Sequence, residues 1–171
     1  MKMAYNLDKT DLKILKILQE DGRITNLQLS TEIGLSPAPT LERVKKLEKS
    51  GIIKSYHATL DPSTLGLGIQ TLMLVTLSRH VENAIKNFIS AVKSIDEVVE
   101  CYHLTGSSDY LLKIMVKDIA AYENLASNRI ASIEGIGHLQ SMVILSTIKS
   151  AKRLPLKYES EVKSNEPEMA V

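Results

Sequence analysis

TNLQLSTEIGLSPAPTLERVKKLEKSG, residues 25–51, holds two short helical patterns separated by a tight reversal. Thr25 suits an N-cap; Leu27, Leu29 and Ile33 come next, and Gly34 ends the run with a residue that turns sharply without steric cost. Ser36-Pro37 opens the next helix, with serine as N-cap and proline near the first turn, where its missing N–H costs little. Leu41, Val44 and Leu47 mark the expected buried side, and Gly51 suits the C′ position. Two helices joined through Gly34-Leu35-Ser36 form a helix-turn-helix, whose second helix lies in the DNA major groove.

Upstream, Asp8 is placed to cap a first helix and Asp11 begins its charged first turn. Leu12, Leu15 and Leu18, flanked by Ile14 and Ile17, give that helix a broad apolar face, and it stops near Asp21-Gly22. Downstream, Ile52 to Leu60 is expected to continue as a β-like wing, with Lys54 and His57 set to meet phosphates. The outer side of the recognition helix is expected to present Ser36, Pro37, Ala38, Pro39, Thr40, Glu42, Arg43, Lys46 and Lys49. Residues at the tip of such a helix meet base edges, while flanking cations meet phosphates. Pro37, Ala38, Pro39 and Thr40 make a small, rigid tip suited to thymine methyls, and Arg43 is the side chain able to grip guanine with two hydrogen bonds.

Residues 1–60 carry ten Lys/Arg against seven Asp/Glu, whereas residues 61–171 carry eleven against thirteen. The basic excess sits at Arg43, Lys45, Lys46 and Lys49, as a nucleic-acid surface requires. A three-helix protein-interaction bundle with a solvated row of lysines fits the same pattern, so the residues alone leave both readings open.

Near residue 61 the hydrophobic period changes. Asp61-Pro62-Ser63-Thr64-Leu65-Gly66-Leu67-Gly68 is a turn-forming linker, 61–68. Beyond it the order is strand (Ile69 to Ser78), helix (Val81 to Val92), strand (Val98 to Leu104), strand (Leu111 to Val116), helix (Ile119 to Ile133) and strand (His138 to Ile148). That βαββαβ order predicts a ferredoxin-like domain. The expected class is therefore α+β: a winged helix-turn-helix over 1–60 and a ferredoxin-like sensing and oligomerisation domain over 69–157. Residues 158–171 are polar and expected to be a flexible tail.

Composition narrows the function. Hydrophobic residues make up 44% of the chain and aromatic ones 4%, with no Trp, so the core must be aliphatic. No apolar run reaches the roughly 18–20 residues of a membrane span, and the N-terminus has no secretory pattern. A single cysteine, Cys101, fits a reducing cytoplasm. Cys101 and His103 share a strand face, but two ligands make no tetrahedral site, and His57, His80 and His138 lack metal spacing. Cys101 is expected to be a small buried residue, and the six Met residues to be core filler. Gly66-Leu67-Gly68 lacks the third glycine of a nucleotide fingerprint. No nucleophile elbow, phosphate loop or carboxylate pair is present, so neither an enzyme nor a bound cofactor or metal is expected.

Leu7-Asp8-Lys9-Thr10-Asp11, Leu18-Gln19-Glu20-Asp21-Gly22-Arg23, Gly34-Leu35-Ser36-Pro37, Glu42-Arg43-Val44-Lys45-Lys46-Leu47-Glu48, Gly51-Ile52-Ile53 and Asp109-Tyr110-Leu111-Leu112 resemble the leucine-responsive regulatory protein (Lrp/AsnC) family. The resemblance runs in order from the N-terminus to about Lys157. It implies a winged helix-turn-helix that binds double-stranded DNA and a ferredoxin-like effector domain. It also implies dimers, commonly assembled into octamers.

The loop Thr105-Gly106-Ser107-Ser108-Asp109 offers what a free amino acid needs: accessible N–H groups, hydroxyls and a carboxylate. As a bare pattern it reads better as a plain hairpin, in which Gly, Ser and Asp are simply turn residues. The resemblance implies effector binding here, at the junction between dimers, by Gly106, Ser107, Ser108 and Asp109 with Tyr102, Leu104 and Thr105 beside them. From the last strand Met142, Val143, Ile144 and Ser146 are weaker candidates. Leucine-responsive relatives often carry an acid directly after the glycine, where this chain has Ser107. The apolar neighbours Leu104, Met142 and Ile144 favour leucine or methionine over a charged side chain. The rival reading is a cytosolic amino-acid sensor that regulates a partner protein through its basic helix.

Overall fold

Asp8 and Asp11 cap the first helix reciprocally. Asp11 N–H donates to the Asp8 carboxylate (2.8 Å) and Asp8 N–H to that of Asp11 (3.3 Å), opening α1, Lys9–Glu20. Thr25 and Gln28 repeat the device at α2, Asn26–Ile33. Gly34 then takes φ 75°, a left-handed conformation that costs other residues about 1–2 kcal/mol, and reverses the chain into α3, Pro37–Lys49. Ser36 stands at the cap of α3, but its hydroxyl caps nothing. Its carbonyl instead accepts from the Thr40 hydroxyl (2.9 Å) and the Thr40 N–H (3.3 Å).

The computed structural model describes residues 6–78, 82–150 and 153–156. They divide into two compact units, one drawn from 1–59 with 150–171 and the other from 60–149. Ile14, Leu15, Leu29 and Leu47 form the buried centre of the first, with Val44, Ile52, Ile53 and Leu156 packed against them. Two expectations are corrected here. Leu41 does not join the core; it is 41% exposed, and Thr40 is fully buried in its place. At helical spacing the line through Leu47 and Val44 passes through Thr40, one residue off the expected stripe. Nor is Ile52 to Leu60 a strand. The Ile52 and Ile53 amides fold back onto the Leu47 carbonyl (3.1 and 3.2 Å), and residues 54–60 have no ladder partner among the described residues.

Residues 153–156 complete the first unit. Leu154 N–H donates to Gln19 Oε1 (2.6 Å), Arg153 pairs with Glu20 (3.2 Å), and Leu156 joins the core. The sequence pattern carries the second domain to residue 157, whereas by contacts 153–156 group with the first unit. Local pattern does not reveal a pairing with a helix some 135 positions earlier. Lys157, the 158–171 tail, His80 and Val81 lie outside the described residues.

The second unit begins with a hydrogen-bonded turn, in which Leu65 and Leu67 N–H donate to the Pro62 carbonyl (3.2 and 2.8 Å). Its elements are β1 (Ile69–Leu77), α4 (Glu82–Lys93), β2 (Val98–His103), β3 (Tyr110–Val116), α5 (Ile119–Asn124) and β4 (Ile136–Val143). The expected second helix changes character after Asn124, continuing as a π-helical stretch, Leu125–Ile130. The sheet order is β2-β3-β1-β4, antiparallel throughout, as a ferredoxin-like fold requires. Met73, Val75, Leu77, Leu112, Ile114 and Val116 point into a core closed by Phe88, Val92, Leu125 and Ile130. β4 ends at Val143 instead of Ile148. The Ile144 amide reaches the Gln70 carbonyl (2.9 Å), and β1, which starts at Ile69, offers nothing further to pair with.

Candidate nucleic-acid interface and effector loop

The tip of α3 is held against α2 by Asn26, whose Nδ2 donates to the Pro37 carbonyl (2.8 Å). Ser36, Pro37, Ala38 and Pro39 are exposed there, and Lys46, Lys49 and Lys54 are exposed further along. Thr40 is the exception: expected on the outer side, it is buried, its hydroxyl committed to Ser36. Arg43 is half-buried. Its Nη1 donates to Asp8 Oδ2 (2.6 Å) and Asp11 Oδ1 (2.8 Å), the latter carboxylate being 3% exposed. The Asp11 N–H, and then the Arg43 guanidinium, hold the Asp8 carboxyl below its ordinary range, while the two carboxylates raise the Arg43 pKa. In this arrangement Arg43 fixes α3 to the cap of α1, with a third of its side chain exposed.

Sequence reasoning missed Asn26 and Tyr56. The Tyr56 ring approaches Gly22, and its hydroxyl donates to Glu48 Oε1 (3.0 Å) near the end of α3. Partial burial and that carboxylate push its pKa up to about 12. No local signal marks either residue, since both act across turns.

In the second unit, β2 and β3 are joined by the expected loop. Leu104 N–H donates to the Asp109 carbonyl (2.8 Å) and closes it, and Gly106 adopts φ 124°, a conformation that L side chains rarely take. Thr105, Gly106 and Ser107 are exposed; Leu104 and Ser108 are half-buried. Among the described residues the amides of Gly106, Ser107 and Ser108 make no hydrogen bond to the chain. Asp109 is engaged: its N–H donates to the Val75 carbonyl (2.9 Å), and its Oδ2 accepts from Leu77 N–H (2.7 Å).

Pairing register places Tyr102 beside Leu111, Leu111 beside Leu74, and Leu72 beside Met142. These side chains share the sheet face opposite the helices, and Tyr102 and Met142 are 49% and 39% exposed. Tyr102 also donates to Glu100, which pairs with Lys113 (3.0 Å). Met142 is three strands from Tyr102, about 14 Å at normal spacing. Ile144 and the exposed Ser146 come after Val143, which pairs with Thr71 near the start of β1, while the loop adjoins its far end. One protomer therefore does not gather all eleven candidate effector residues into one pocket.

Cys101, expected to be buried, is exposed, because β2 is an edge strand. His103 stacks on Tyr110 (4.9 Å between centroids), which in turn meets Phe88 (4.5 Å). No cluster of three metal-binding side chains occurs among the described residues. None of their helices is long and apolar enough to cross a membrane.

The sequence model of the Lrp/AsnC ligand binding domain matches residues 70–154, and that of a winged helix-turn-helix DNA-binding domain matches residues 7–54. The leucine-responsive regulatory protein of Klebsiella pneumoniae is 39% identical over 152 residues, covering 89% of this chain and 93% of its own length. The chain belongs to the Lrp/AsnC family.

Its Lrp/AsnC relatives of known structure agree in fold as well as sequence. A Neisseria meningitidis transcriptional regulator, solved as an L-Met complex, superposes with a TM-score of 0.85 at 41% identity, covering 88% of this chain and 97% of its own. An AsnC family regulator from Agrobacterium tumefaciens gives 0.83 at 37% identity, with the same coverage. This Lrp/AsnC protein is accordingly a DNA-binding transcription regulator with a ligand binding domain, from a family that is not enzymatic.

Proposed function

We propose that this regulator works in the cytoplasm, grips operator DNA with α3, and senses methionine or leucine at the 105–108 loop where copies of the chain meet. Ser36, Pro37, Ala38 and Pro39 are assigned to the major groove, and Lys46, Lys49 and Lys54 to phosphates. The observation that carries the effector reading is the cluster of Gly106, Ser107 and Ser108 amides with no partner in the chain. Three successive unpaired N–H donors in a turn suit a carboxylate. The Neisseria meningitidis relative's L-Met complex supports the amino-acid class. Tyr102, Leu104, Met142 and Ile144 supply apolar surface, and Ser107 gives the loop no second acid to favour a cationic side chain.

Assembly is read from the same geometry. Leu72, Leu74, Leu111, Met142 and Tyr102 spread over an uncovered sheet face, and a contiguous apolar patch of that kind marks an interaction surface. A second copy brings Met142, Ile144 and Ser146 of one protomer within reach of another's loop. Dimers, assembling further to octamers, are the proposed state. Effector bound between copies changes their packing and hence the spacing of paired recognition helices, which sets operator affinity.

A thermal-shift screen against the twenty amino acids tests this reading. An effector at a hundredfold excess over its Kd stabilises the native state by about 2.7 kcal/mol. Stabilisation by methionine or leucine alone upholds the aliphatic pocket. No shift with any of them leaves the second unit as an assembly module.

A further inference from the structure

The amide of Leu77 poses a problem that the strands do not solve. β1 pairs with β3 only as far as Val75 opposite Tyr110, and its register with β4 slips between Thr76 and Leu77. Leu77 is 3% exposed, so its N–H is shielded from water and must find an acceptor. Val75 and Leu77 lie two apart on the strand and direct their backbone groups to the same side, toward β3. Asp109 answers both: its N–H donates to the Val75 carbonyl (2.9 Å) and its Oδ2 accepts from Leu77 N–H (2.7 Å). Its own carbonyl meanwhile accepts from Leu104 N–H (2.8 Å). One residue thus adds a rung to the β1–β3 ladder with its side chain and closes the 105–108 loop with its main chain.

We propose that Asp109 is a positioning residue, a clasp that fastens the effector loop to the bulged end of β1, and not the acceptor of an effector's ammonium group. The proposal rests on the amino-acid-sensing reading of that loop. Its carboxylate acts as a hydrogen-bond acceptor inside the fold. What faces the effector is the run of Gly106, Ser107 and Ser108 amides, held in place by the clasp. The bulge also links the loop to the start of β4, since Ser78 N–H donates to the Gly135 carbonyl (2.8 Å) and Leu77 pairs with Ile136. A ligand that shifts the loop therefore pulls on two strands together.

Asparagine separates the two roles, because it keeps the acceptor oxygen and removes the charge. Methionine is titrated calorimetrically into the full-length protein, Asp109→Asn and Asp109→Ala, and the exchange of the Leu77 amide is monitored in each. The clasp predicts that Asp109→Asn binds methionine within about threefold of the parent with Leu77 still protected. Asp109→Ala loses about tenfold or more in affinity and exposes Leu77 to faster exchange, leaving a buried donor unmade. Equal loss in both variants, with Leu77 protected in Asp109→Asn, overturns the proposal and makes the charge the ligand's partner. Full affinity in Asp109→Ala overturns it too. If Asp109→Ala does not fold, the Asp109→Asn result decides alone. If the parent protein binds none of the twenty amino acids, the sensing reading fails, and the clasp is then judged on Leu77: equal exchange in all three proteins overturns it.

Discussion

Arg43 shows how one side chain can suit a task read from its type and be engaged in another by the fold. On the sequence it is the natural guanine reader of the recognition helix; in the fold it reaches Asp8 and Asp11 on α1. Removing it takes the cationic partner from the nearly buried Asp11 carboxylate, which keeps the Asp8 N–H. Arg43→Ala should therefore destabilise the first unit by about 1–3 kcal/mol, read as a lower denaturant midpoint, and weaken all DNA sequences alike. A loss confined to one base position at unchanged stability would return Arg43 to base reading. Asp8 adds a pH signature. Its folded pKa is depressed, so its contribution is present above its unfolded value, about 3.9, and is lost as pH falls through the folded value. The melting temperature of the parent protein should drop below about pH 4 more steeply than that of Asp8→Asn.

At the scale of elements, what the sequence disclosed is what depends on neighbours three or four residues apart. The Asp8 and Thr25 N-caps, Gly34 after α2, and the apolar runs of β1 and β3 all fall in that class. What escaped it are contacts at long separation or single-residue phase errors. Arg43 with Asp11, Leu154 with Gln19 and Asp109 with Leu77 leave no local trace. The choice between Thr40 and Leu41 turns on 100° of helix rotation, which side-chain polarity misreports. For the candidate site, it is the resemblance that marks the loop, since Gly, Ser and Asp between two apolar strands are by themselves ordinary turn residues, and the fastening of Asp109 to Leu77 leaves no local trace. Gly106→Ala tests the loop as an element. Its φ of 124° should make alanine cost about 1–3 kcal/mol and distort the amides, weakening methionine binding with DNA affinity unchanged. On α3, Lys46→Ala and Lys49→Ala should each lower the slope of log affinity against log salt by about one, independent of sequence.

The whole molecule joins a DNA-reading unit to an effector unit whose sheet leaves one face uncovered, and its family membership explains why both halves are present. Light scattering at micromolar concentration should give a mass that is a multiple of the 18.9 kDa chain, and Leu111→Lys should reduce it toward the monomer. A monomeric parent protein would remove the shared effector site. Above all, effector binding in one unit must change DNA binding in the other. That coupling is read from the affinity for a DNA fragment selected by the protein itself, determined at fixed salt with and without saturating methionine, and with leucine in its place. One of the two should change the affinity by about 5–150-fold. Identical binding curves under all three conditions would mean that the two units are not coupled through an aliphatic amino acid.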